Sequence, residues 1–166
     1  VYFLRAEAKL FGLTTDAKTD QTLYEEGIAM SFRENGVSAN SYASNNTNKP
    51  APYVDPLNAA NNQGAPSEIT VSYAAAATNE DKLEKIITQK YLAIFPDGHE
   101  AWTEWRRTGY PKLHKVTQNA SGGVISSEKG VRRIPYPESK LTGEDRAYLA
   151  RALQLLGGAN TGATKV

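Results

Sequence analysis

The sequence predicts a mainly α-helical chain in which helix hairpins carry long irregular loops. Three observations point there. Apolar residues recur at helical spacing in several separate stretches, glycines and prolines stand where those stretches stop, and only one short run, Ile69–Tyr73, reads as a possible strand. The 166 residues are 40% hydrophobic and 22% charged, enough apolar content for a core.

The first helix is expected over about residues 1–12, VYFLRAEAKLFG, with Gly12 as its stop. It has no capping residue ahead of it and opens in mid-pattern, so the chain is expected to be cut from a longer one. After a polar turn, Asp20 or Thr22 can cap a second helix over about 21–35. Leu23, Gly27, Ile28 and Phe32 share one of its faces. Small residues at facing positions, Ala6 and Gly27, predict a close antiparallel hairpin, as in helical repeat proteins.

Residues 36–78 are a different kind of sequence. Asparagines and prolines crowd them, and only Ile69–Tyr73 has the composition of a short strand or extended segment. A loop this long is uncommon in a compact domain and is often functional. A helix pair is expected over 79–110. Asn79 caps the first member, whose apolar face is Leu83, Ile86, Ile87, Tyr91 and Ile94; Pro96, Asp97 and Gly98 break it. The second carries Trp102 and Trp105 and ends at Gly109 and Pro111. Residues 111–143 read as irregular. A final helix over about 144–156 follows, stopped by Gly157 and Gly158, then a small polar tail over 157–166.

The formal charge of +1 argues against a nucleic-acid partner, which ordinarily selects a strongly basic surface. The absence of cysteine removes disulfides, thiolate catalysis and cysteine zinc sites, and two histidines are too few for a three-histidine metal centre. No phosphate-binding glycine loop or calcium loop is present, so no cofactor or metal is expected. Glu100 and Glu104 stand one helical turn apart, without the setting a glycosidase pair needs, and no catalytic residue is assigned. Arg106 and Arg107 are placed to pair with Glu100, Glu104 or a neighbouring carboxylate. The tryptophan pair is either a core anchor against the preceding helix or an aromatic platform.

The loop tyrosines Tyr42, Tyr53 and Tyr73 are the candidate ligand contacts. Tyrosine offers a flat apolar face and a polar tip at small entropic cost, which suits sugars and peptides. The competing role is to pin the loop onto the helices.

Five stretches carry a family resemblance: EKIITQKYLAIF over 84–95, its continuation PDGHEAWTEWRRTGYP to 111, RRIPYPES over 132–139, FLRAEA over 3–8 and LYEEGIAMSF over 23–32. Together, and in this order, they resemble the C-terminal part of SusD/RagB-like proteins. The resemblance implies a tetratricopeptide-like α-α superhelix, present as an incomplete copy. It implies a non-enzymatic surface lipoprotein of the outer membrane, anchored through an N-terminal region absent from this chain. Such a protein captures glycans or peptides and passes them to a SusC-like TonB-dependent transporter. The alternative is an interaction module whose loops contact the transporter rather than the nutrient. The N-terminal remainder of the same protein is a further expected partner; if it covers helix one, Phe3, Leu4 or Phe11 would lie bare here.

Overall fold

The computed structural model describes residues 1–137, 139–157 and 160–162. They divide into two compact units, 1–114 and 115–166. The helices are α1 (Tyr2–Leu10), α2 (Asp20–Glu34), α3 (Asn79–Ala93), α4 (Gly98–Thr108), α5 (Ser139–Thr142) and α6 (Arg146–Leu155). Short 3-10 turns form at Tyr42–Ser44, Ala59–Asn61 and Tyr73–Ala75. The expected mainly α class is found, and no strand is present among the described residues.

In the first unit α1, α2 and α3 enclose one core. Phe3, Ala6, Leu23, Tyr24, Ile28, Tyr73, Leu83, Ile86 and Ile87 are buried together. The hairpin of α1 and α2 is close because Gly27 has no side chain. A Cβ there would stand 2.9 Å from the Phe3 ring. Gly27→Ala therefore trades a helix-propensity gain of about 1 kcal/mol for an overpacking cost of about 1–3 kcal/mol. The net expectation is a loss of about 1 kcal/mol in a denaturant melt, recovered when Phe3→Leu is added. An additive double variant would contradict the contact.

Two helix starts differ from the sequence expectation by a residue. α2 is capped by Thr19, whose side chain accepts from the Thr22 amide at 3.0 Å. α3 is capped by Thr78 in a full capping box with Asp81, not by Asn79. Neighbouring Thr, Asn and Asp residues offer the same acceptor chemistry, so local composition locates such a start only to within a turn. α4 follows expectation, with Asp97 as cap and Gly109 in the left-handed conformation (φ 84°) closing it.

α3 differs more. Leu83, Ile86 and Ile87 of its expected apolar face are buried and Tyr91 and Ile94 only half-buried, while Glu84, Lys85, Gln89 and Lys90 are buried as well. A buried polar side chain must find partners, and each does. Glu84 accepts from Ser67 and pairs with Lys112 at 3.0 Å. Lys90 lies 2.6 Å from Glu100 and 3.0 Å from Glu104. Arg107 closes the network with a two-pronged bond to Glu7 (2.6 and 2.8 Å) and a third to Glu104 (2.6 Å). The expected pairing of the α4 arginines with nearby carboxylates is thus realised at Arg107, while Arg106 stacks 4.4 Å over Trp102. Both tryptophans are half-buried and stand outside the core cluster.

Phe3 is 6% exposed because it fills the notch at Gly27, against the expectation of a bare Phe3. Leu4 and Phe11, both 48% exposed, are the bare apolar residues of α1 and its stop.

In the second unit, Arg133 is buried and donates to Asn160 Oδ1 (2.9 Å), while Asn160 also pairs with both backbone groups of Tyr136. The last helix, α6, starts at Arg146 rather than 144, and α5 forms inside the stretch expected to be irregular. Leu149 is its buried residue. Gly158, the second expected stop, and residues 163–166 of the expected tail lie outside the described residues.

Candidate functional site: a cavity between helix α3 and the asparagine-rich loop

Residues 69–72 join no sheet, and Tyr73 opens the 3-10 turn Tyr73–Ala75, which corrects both the strand and the extended-segment alternatives. The segment's backbone groups are met from other directions. Val71 carbonyl accepts from the Tyr24 hydroxyl at 2.6 Å, Thr70 carbonyl accepts from the Lys85 ammonium, and Ser72 amide donates to Asn45 carbonyl at 2.7 Å. Side chains of α2 and α3 thus hold the loop where a neighbouring strand otherwise would.

Between this tethered segment, residues 48–51, residues 111–114 and one flank of α3 lies a cavity of about 410 Å³. That is within the span of small-ligand sites, roughly 300–1,000 Å³. Its wall is mainly apolar, supplied by Pro50, Pro66, Ile69, Val71, Leu92 and Leu113. Tyr24, Tyr42, Tyr91 and His114 add rings. Lys85, Thr88 and Gln89 bring polar groups from α3.

The three candidate tyrosines go to three different environments. Tyr42 lines the cavity. Its ring packs on Phe32 at 5.1 Å, and its hydroxyl lies 3.2 and 3.3 Å from the Gln89 amide. Tyr53 is 44% exposed; its backbone pairs both ways with Gln63 at 3.0 Å, and its ring stands 6.0 Å from His114, a cavity residue. Tyr73 is 2% exposed and belongs to the core, which corrects its placement as a surface contact. Its ring lies 4.9 Å from Tyr24 and its hydroxyl donates to Asp20 at 2.8 Å. Tyr73 therefore does what the alternative role describes and ties the loop to α2. Burial, followed by the hydrogen bond to Asp20, pushes its phenol well above the usual tyrosine range. Burial also works to raise Asp20, but hydrogen bonds from Tyr73 and Lys82 outweigh it and hold that carboxyl low.

Sequence reasoning missed Lys85, Thr88, Gln89 and His114. On α3 the first three fall beside the apolar face, where polar residues ordinarily mark the solvent side. Lys85 is 3% exposed, and burial lowers its ammonium pKa, with Asp81 and Glu84 opposing. The Thr88 hydroxyl is buried and makes no hydrogen bond. His114 stands alone in a loop, with no spacing pattern to mark it. Glu100 and Glu104, the acidic pair on α4, both bind Lys90.

A helical scaffold thus tethers a polar loop around a small, mainly apolar cavity. Over residues 1–166 the chain matches the SusD-like family, described as Susd and RagB outer membrane lipoprotein, and it belongs to that family. Among solved structures it is similar to a chitin-binding SusD homologue from Flavobacterium johnsoniae, at 50% identity and a TM-score of 0.85, covering 99% of this chain and 34% of that one. A SusD homologue from Bacteroides uniformis matches at 42% identity and a TM-score of 0.87, over 99% and 34% of the two chains. One from Bacteroides vulgatus matches at 37% and 0.86, over 99% and 33%. The chain thus spans about a third of the length of these structures. No curated protein matches it. No helix among the described residues is long and apolar enough to cross a membrane.

Proposed function

We propose that the protein is a non-catalytic, lipid-anchored receptor on the outer-membrane surface. It captures a glycan, or less favourably a peptide, and delivers it to a SusC-like TonB-dependent transporter. The observation that carries this is the 50% identity, across nearly the whole chain, to a homologue whose described property is chitin binding. The geometry supports the same reading. The scaffold is helical, the cavity wall comes largely from loops, and the acidic pair on α4 is neutralised by lysine and arginine and does not line the cavity. Tyr42 and Tyr53 are the proposed ligand contacts; Tyr73 belongs to the core and ties the loop to α2.

The test is a screen of the intact protein against immobilised glycans and peptides, followed by Tyr53→Ala and Tyr42→Ala. Tyr53 is half free of the fold, so its loss should leave the melting temperature within about 1 °C, since an exposed substitution usually changes stability by under 0.5 kcal/mol. Ligand retention should drop by about tenfold, the effect of losing one aromatic contact of roughly 1–2 kcal/mol. Retention unchanged while pull-down of the transporter fails would instead make the loops a protein interface. Product release by purified protein, abolished by Glu100→Gln, would overturn the non-catalytic reading.

The exposed stripe of α1 bears on the remaining proposed partner. Val1, Leu4, Ala8 and Phe11 recur on one face, with Leu4 and Phe11 each half-exposed. We expect the N-terminal remainder of the protein to cover it. The 166-residue chain alone should then bind an apolar dye or self-associate, and Leu4→Glu with Phe11→Glu should abolish both. A monomeric chain that binds no dye would contradict this.

A further inference from the structure

We propose that the cavity beside α3 is a seat for an N-acetylated amino-sugar unit, its acetamido group pointing inward. This rests on the glycan-receptor reading above and adds to it a ligand class and a place. Pro50, Val71, Leu92 and Leu113 make the wall largely apolar, so it demands apolar ligand surface. A plain hexose polymer offers only the C–H faces of its rings. An acetamido substituent adds a methyl group to that and sets an amide carbonyl beside it.

The polar groups in the wall match the carbonyl. The Lys85 ammonium donates to Thr70 carbonyl and Oγ1, which leaves one of its three N–H groups, and it makes no ion pair among the described residues. One turn further on, the Thr88 hydroxyl is buried without a partner, at the energetic disadvantage of an unmet polar group. Thr88 is among the residues that line the cavity. Two donors on one helix flank therefore await an acceptor carried on an apolar body.

The charges narrow the class further. Lys49, Lys85, Lys112 and His114 line the cavity, and no carboxylate does among the described residues. Lys49 pairs with Glu68 and Lys112 with Glu84, both outside the wall, so a free amino sugar, protonated in mildly acidic buffer, meets Lys85 with no carboxylate in the wall to receive it. Its N-acetylated form is neutral and meets no such penalty. The cavity thus separates acetylated from deacetylated chains of the same backbone.

The experiment uses the intact protein and three probes, N-acetylchitohexaose, its fully deacetylated counterpart and maltohexaose, read by calorimetry in mildly acidic buffer. The acetylated probe should bind at least tenfold tighter than either other. Thr88→Val, which keeps shape and removes the hydroxyl, should weaken it by about tenfold, the loss of one buried hydrogen bond. Ala51→Trp, at an exposed position on the rim, should block it with the melting temperature unchanged. Binding undiminished in both variants places the sugar elsewhere and overturns the site while the receptor reading stands. Preference for maltohexaose or the deacetylated chain overturns the ligand class alone. Failure to bind any glycan or peptide in the wider screen overturns the receptor reading and this proposal with it.

Discussion

Tyr24→Ala is expected to lower stability by about 3–5 kcal/mol, the range for deleting a large side chain from a core. In a domain of this size that is a drop in melting temperature of about 10 °C. Tyr24 is fully buried and stands where the hairpin, the loop and the cavity meet. Its ring takes the edge of Phe3 at 6.2 Å and an interplanar angle of 72°, and it packs against Tyr73 at 4.9 Å. Its hydroxyl donates to Val71 carbonyl at 2.6 Å. Burial raises the phenol well beyond the usual tyrosine range, so the hydroxyl is a neutral donor at neutral pH. Tyr24→Phe isolates that bond, and its loss should cost about 1–2 kcal/mol because Val71 carbonyl is left unpaired. The two variants differ in where the damage falls. Tyr24→Phe should speed amide exchange over residues 69–73 and leave α1 and α2 protected; Tyr24→Ala should loosen both. Equal exchange profiles for the two would mean that the hydroxyl does not tether the loop.

That tether also marks the limit of what the sequence discloses. The helices are legible because their signals are local. Leu83, Ile86 and Ile87 repeat at helical spacing, Gly109 marks a left-handed stop, and the small residues Ala6 and Gly27 announce a close approach. The cavity is not legible in the same way. Lys85 and Gln89 read as the wet side of α3, since nothing in their neighbourhood shows that Thr70 and Tyr42 return to cover them. Tyr73 sits in a loop-like composition, and its burial depends on Asp20, 53 residues earlier. A run of six or seven residues encodes its own backbone preference. It does not encode which distant segment will dry it. The family resemblance supplied the fold where periodicity was silent, but it could not separate Tyr73 from Tyr42 and Tyr53, because that difference lies in the packing of one loop.

The second large effect is expected at Glu104. It is 7% exposed and joins three helices, accepting from Lys90 on α3 (3.0 Å) and from Arg107 on its own helix (2.6 Å), which in turn grips Glu7 on α1. Removing one member of a buried ion pair typically costs 3–5 kcal/mol, because the remaining charge stays buried. Lys90 keeps Glu100 at 2.6 Å, so Glu104→Gln should cost less, about 2–3 kcal/mol. The pH dependence has a definite sign. Burial works to raise the Glu104 carboxyl, but hydrogen bonds and charge from Arg107 and Lys90 outweigh it and hold the pKa below its ordinary 4.5. A carboxylate depressed in the folded state contributes stability above its unfolded pKa and loses it as pH falls through the folded one. The gap between native protein and Glu104→Gln should therefore be full at neutral pH and close as the pH falls below about 4. Chemical melts across that range measure it directly. An apolar replacement of both partners, Lys90→Met with Glu104→Leu, should recover much of the loss, since well-packed hydrophobic residues often match a buried pair. A gap that widens on acidification would mean that Glu104 is protonated in the folded protein, and the clasp between α1, α3 and α4 would then be a neutral hydrogen-bond network.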